Sequence, residues 1–179
     1  MPTTQLFVEL LVIGYGATAW LVLLVAAALG WQPTQISPQL AGEALVPLTA
    51  LSYVLGIILD RVAREFFEKV LPKATAPAEG ISLEDAEHSI CEKSERLWSS
   101  CVYNRSRFRI CRAWTLSFAM IGIAYSTWRI RIDMLAWSQS AEILVLAFLC
   151  SLLAAWATVH LHRDYYTQVG KLFRFLRTL

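Results

Sequence analysis

LFVELLVIGYGATAWLVLLVAAALGW, running from Leu6 to Trp31, is an apolar stretch interrupted by a single charge, Glu9. Roughly 20 residues of helix cross the ~30 Å hydrocarbon core of a bilayer, and this run is longer than that. No Lys or Arg precedes it, and it far exceeds the about 7–15 apolar residues of a cleavable leader. It reads as a retained membrane helix.

Three more stretches follow the same pattern. Leu40–Leu59 carries Glu43 near its start, Ile110–Trp128 carries Arg112 near its start, and Ala141–Val159 has Glu142 at its edge. Pro47 suits the first turn of the second span, where a missing N–H costs least. Short alternating strands of the kind that build a barrel are absent. The composition agrees. Of 179 residues, 56% are hydrophobic and 17% charged, and the mean hydropathy is +0.49. Soluble domains run near 45–50% apolar and about 25% charged, and one this small has too much surface to hide the excess. The same arithmetic excludes disordered, collagenous and disulfide-framework chains. The expected fold is an all-α membrane protein with four transmembrane helices and long cytosolic helical extensions of spans two, three and four.

Orientation follows from Lys and Arg, which collect on the cytoplasmic side. The Gln32–Gln39 loop has neither, Arg129–Ser140 has two, Asp60–Arg112 has ten and the tail from Arg163 has four, so fourteen of the sixteen share one side. Both termini are therefore expected inside. Trp31, Trp128 and Trp137 then mark the outer interface and Trp114 the inner one.

The chain divides into a first hairpin with the extension of span two (1–71), a linker (72–80), a cytosolic helix continuing into span three (81–128), and an outer loop, span four and amphipathic C-terminal helix (129–179). In the first extension Val62, Phe66 and Val70 recur four apart, and Asp60 and Arg64 form an i,i+4 acid–base pair. Pro72–Gly80 breaks the helix. Ser82-Leu83-Glu84-Asp85 reads as a capping box. Beyond it Leu83, Ala86, Ile90, Leu97, Cys101 and Phe108 form a heptad-like stripe, interrupted by Ser94 and Arg105. With no Pro or Gly from Ile81 to Ile121, one helix is expected from Ser82 into span three, projecting about 40 Å at 1.5 Å per residue. In the tail, Tyr165, Val169, Leu172, Phe173 and Leu176 share a face opposite Lys171, Arg174 and Arg177. These apolar stripes must close on one another or on neighbours.

Charge inside lipid is expensive and marks function, which singles out Glu9. In a symmetric oligomer it would line a pore as an acidic ring selecting cations; the alternative is pairing with Arg109 or Arg112. Glu43 and Glu142 sit at helix N-termini, where the macrodipole accounts for them. Gly14 and Thr18 have small-xxx-small spacing, and Gly56 has the same meaning, so all three read as helix-packing residues. Arg105, Arg109 and Arg112 share a helix face with Arg107 beside them. They read as an anchor to anionic lipid, or as a site for an anionic ligand, a nucleotide or lipid headgroup.

His160 and Asp164 are four apart but lack the further ligands of a metal site, and Cys91, Cys101, Cys111 and Cys150 show no metal spacing and read as structural. No Walker A loop, GxGxxG or nucleophile elbow is present. No enzyme activity, cofactor, metal or nucleic-acid partner is expected. The partners expected are the bilayer, further copies of the chain, and a cytosolic protein or nucleotide ligand. The leading functional expectation is a homo-oligomeric channel or pore with a cytosolic helical vestibule or gate. The alternative is a membrane anchor or scaffold that recruits a soluble partner. A small transporter ranks third, because discontinuous helices are missing. The layout of four spans with a cytosolic helical insert resembles membrane effectors of bacterial antiphage defence. That likeness of architecture implies a pore in the inner (plasma) membrane opened by a cytosolic signal, and carries no residues across.

Overall fold

The computed structural model describes residues 2–31, 42–71, 83–132 and 137–178. The described chain is helical: α1 (Pro2–Leu29), α2 (Leu45–Val70), α3 (Leu83–Lys93), α4 (Glu95–Ile132) and α5 (Trp137–Thr178). The linker at 72–80, the capping serine at 82 and the 32–39 loop lie outside the described residues. Three stretches are long and apolar enough to cross a membrane: Thr4–Leu29, Leu45–Val70 and Ser140–Leu176. The expected third span lies within α4, which falls short of that standard because Arg112, Thr115, Ser117, Ser126 and Thr127 dilute it. The expected outer loop shrinks, since α4 runs on to Ile132 and α5 begins at Trp137.

The helices stand in an open row, α2–α1–α4–α5. α1 packs against α2 on one side and α4 on the other, and the far side of α4 takes α5; α2 makes a smaller contact with α4, and among the described residues α5 reaches neither α1 nor α2. Small residues let α1 and α2 approach. At Gly14 an added Cβ would lie 1.6 Å from the Ser52 carbonyl oxygen, and at Gly56 it would lie 2.0 Å from that of Leu10. Side-chain-free backbone is what such a crossing requires. Ile13 and Ala17 of α1, Leu59 and Ala63 of α2 and Ala113 of α4 form the core where the three helices meet. Gly122 plays the corresponding part between α4 and α5, against Ala147.

At its C-terminal end α1 stops in a defined way. Gly30 takes φ +66°, Trp31 N–H donates to Ala26 O at 2.9 Å and Gly30 N–H to Ala27 O at 3.4 Å. This is a Schellman cap, whose left-handed residue favours glycine. The Trp128 indole then donates to Trp31 O at 2.9 Å, tying α4 to the capped end.

The expected continuous helix from residue 82 into span three is broken at Ser94. Its side chain accepts the Leu97 N–H at 3.4 Å, in the manner of an N-cap that starts α4 afresh. Glu87 and Arg105 would be about 27 Å apart on a straight helix, yet their side chains meet at 3.2 Å. α3 thus turns back on α4. The turn buries Ala86 and Ile90 against Cys101, Tyr165, Val169 and Leu176, with Leu97, Trp98, Tyr166, Leu172 and Phe173 packed around them. The stripes of α3, α4 and α5 therefore close on one another. On α2 the expected stripe is out of phase. Val62, Phe66 and Val70 are exposed, while Leu59, Ala63 and Phe67 are buried, because Ala63 is the position small enough for α4 to approach.

Candidate functional site

The first charge after the apolar part of α2 is Asp60. Arg109 and Arg112, three apart on α4, present guanidinium groups from one helix face. Asp60 accepts from Arg109 Nη2 at 2.8 Å and from Arg112 Nη2 at 2.9 Å. Glu9 on α1 accepts from Arg109 Nη1 at 3.4 Å. Two carboxylates and two guanidiniums from three helices thus form one network. Side-chain exposure is 8% for Glu9, 20% for Arg109, 17% for Asp60 and 8% for Arg112. The formal charges cancel. The Arg112 guanidinium also lies 5.3 Å from the Phe108 ring centroid, and its Nε has no hydrogen-bond partner. The sequence pairing of Asp60 with Arg64 is revised: Arg64 Nε donates to Glu68 at 2.7 Å, and Asp60 joins the arginines of α4.

Because α2 and α5 do not meet, a cavity of about 480 Å³ opens between them beside this network. Its walls are Asp60, Arg64, Phe67, Glu68 and Leu71 of α2; Glu87 of α3; Arg105, Phe108, Arg109 and Arg112 of α4; and His162, Tyr165 and Tyr166 of α5. The His162 ring lies 5.4 Å from Phe108 and 4.6 Å from Tyr166. Arg105 donates to Glu87 at 3.2 Å, and the Tyr165 hydroxyl donates to the other oxygen of the same carboxylate. Two ion pairs guard the rim: Arg64–Glu68, with side chains 67% and 61% exposed, and Arg105–Glu87, 55% and 14% exposed. Deeper in the head, the part of the molecule where α3 packs against α4 and the C-terminal half of α5, burial first and the Glu87 carboxylate second push the Cys101 thiol up from its ordinary range.

The residues singled out by sequence separate into groups. Arg105, Arg109 and Arg112 gather on the cavity wall, whereas Arg107 is exposed and lies over the Tyr103 ring at 5.6 Å. Glu9 is buried within the row. Gly14, Thr18 and Gly56 come together at the α1–α2 crossing, where Thr18 and Ser52 hydroxyls share a hydrogen bond of 2.7 Å. Glu43 and Glu142 are exposed. His160 Nδ1 lies 3.1 Å from Trp156 O, and among the described residues no three His, Cys, Asp or Glu side chains cluster to hold a metal.

Sequence reasoning missed the roles of Asp60, Ser52 and Glu87. Asp60 had a usable signal: it ends one apolar stretch, as Arg112 nearly begins another, and antiparallel neighbours bring such ends to one depth. Glu87 had none, since its place depends on the turn at Ser94. No known protein family, curated protein or solved structure matches this chain.

Proposed function

We propose that the chain is a four-span protein of a bacterial inner membrane, with its termini and helical head in the cytoplasm, acting as a homo-oligomeric channel or pore. The fourteen Lys and Arg residues grouped on one side support the orientation. α4 crosses between α1 and α5, with several of its polar groups answered inside the protein: Thr115 Oγ1 donates to Cys111 O at 3.0 Å, Thr127 Oγ1 to Ile123 O at 2.8 Å, and Ser151 Oγ to Thr115 O at 2.8 Å. Lipid tolerates polar groups satisfied in this way.

The observation that carries the channel reading is the open row. Four helices in a row enclose no path, and the apolar windows of α2 and α5 are only 17% and 6% buried, against 44% for α1. Copies arranged by symmetry would cover those flanks and enclose a path between them. The charged network then serves as the gate. A buried ion pair adds little stability over apolar packing of similar volume, and its best-attested use is to fix one arrangement among several. Glu9, neutralised by Arg109, latches the closed state. The anchor reading rests on a different observation, the exposed Val62, Phe66 and Val70, which would receive a partner helix.

Reconstitution in liposomes, with mass measurement in detergent, tests the proposal. The expected result is a discrete oligomer that passes ions, with Glu9→Gln opening more readily at unchanged ion preference. Lost cation preference in Glu9→Gln would put Glu9 in the conducting wall. A silent monomer, with or without that substitution, would leave the anchor.

A further inference from the structure

We propose that the cavity between α2 and α5 binds a phosphate ester, admitted by exchange of the two ion pairs at its rim. Arg109 and Arg112 are committed to buried carboxylates. Arg64 and Arg105 are different, because both side chains are largely exposed, at 67% and 55%, Arg64 on an exposed Glu68 and Arg105 on a Glu87 that is 14% exposed. The exposed Arg64–Glu68 pair contributes little to stability, and Glu87 keeps the Tyr165 hydroxyl when Arg105 turns to a phosphate. Guanidinium is suited to that trade, offering planar donor forks that match phosphate oxygens. Behind the rim Arg112 is 6% exposed and keeps an Nε without a partner. A buried donor left unmade is costly, and an anion oxygen in the cavity would answer it.

The dimensions define the ligand further. At about 480 Å³ the cavity falls within the range of roughly 300–1,000 Å³ that holds small organic molecules, well beyond inorganic phosphate. Phe108, His162 and Tyr166 supply a continuous ring-lined wall for the organic part. A lipid headgroup and a soluble nucleotide share this chemistry. The wedge is open to both, since it lies where α2 and α5 leave their apolar segments, and among the described residues only Glu87 reaches it from α3. The site rests on the cytosolic placement of the head and is independent of conduction.

Binding is measured on the full chain in phosphatidylcholine nanodiscs, with ATP as the soluble probe and phosphatidic acid in the disc as the lipid probe. The thermal midpoint and retained labelled probe are read together. A rise with ATP identifies a nucleotide-like source, and a rise with phosphatidic acid a headgroup. The double variant Arg64→Gln/Arg105→Gln should weaken the effective probe roughly tenfold or more. Arg107→Gln, on the exposed face over Tyr103, should bind as the wild type does. No response to either probe overturns the site, and so does full affinity in the double variant. Equal losses in Arg107→Gln and the double variant also overturn it, by assigning binding to diffuse positive charge. Because no ion flux is read, failure here is distinct from failure of the channel reading.

Discussion

The α1–α2 pair and the α2–α5 pair contrast in spacing: the first is in backbone contact, and the second shares no close contact among the described residues. In the first, Gly14 and Gly56 remove side chains from the crossing, and each backbone lies where the other's Cβ would be. In the second, the helices never touch, and the space between them is lined by ionisable and aromatic groups. α2 belongs to both pairs. Along one helix, small residues give way to Asp60, Arg64 and Glu68, and close contact gives way to a cavity. Dispersion and interhelical hydrogen bonds favour the first arrangement in lipid. The second persists because charges keep enough water or partners to stay solvated.

The strongest way to break this contrast is at Asp60, which holds the ends of the two regimes together. Asp60→Asn leaves Arg109 and Arg112 short of a carboxylate and should cost about 3–5 kcal/mol, read as a lower thermal midpoint in detergent. Adding Arg112→Gln should return part of that loss, because the two sites share one network. Next comes the tight side. Gly14→Val must push α2 away through backbone atoms, with an expected cost of about 3 kcal/mol; cysteines replacing Thr18 and Ser52 should then cross-link poorly, whereas they link readily in the parent.

A smaller effect sharpens the open side. Ser94→Ala removes the cap that starts α4 and should cost about 1 kcal/mol, loosening α3 and with it Glu87. Hydrogen exchange over residues 83–93 should rise while the α1–α2 crossing stays unchanged. The least energetic test is chemical. Cys91 is exposed and Cys101 buried, with the Cys101 thiol pushed up by burial and Glu87. A thiol reagent at neutral pH should modify Cys91 first and reach Cys101 only on unfolding. Early modification of Cys101 would mean that the head does not close as described.

Sequence legibility divides along the same line. Apolar length placed α1, α2 and the membrane part of α5, because that signal is summed over many residues. The small residues of the α1–α2 crossing were visible as Gly14, Thr18 and Gly56, although Ser52 was not, since serine is small in many contexts. The head was harder. A single serine decides whether 83–132 is one rod or a hairpin, and a cap worth about 1 kcal/mol barely disturbs the periodicity. The phase of the α2 stripe slipped by one residue because both faces are apolar there, and only the approach of α4 selects Ala63 over Val62. The charged network needed three helices at one depth. Sequence gave Glu9, Arg109 and Arg112 as candidate partners, but local spacing had assigned Asp60 to Arg64.

The capped C-terminal end of α1 has a mechanical consequence. Between the Trp128–Trp31 bond and Glu9 lie about twenty residues of helix, some 30 Å at 1.5 Å per residue. α1 is thus a lever with a hinge pin at its C-terminal end and a breakable catch near its N-terminus. A swing of about 10° about the pin moves Glu9 by roughly 5 Å over that length, more than the 3.4 Å that separates it from Arg109. Such a swing leaves the Trp31 end shut while the Glu9 end parts, so the row fans open from the Glu9 side.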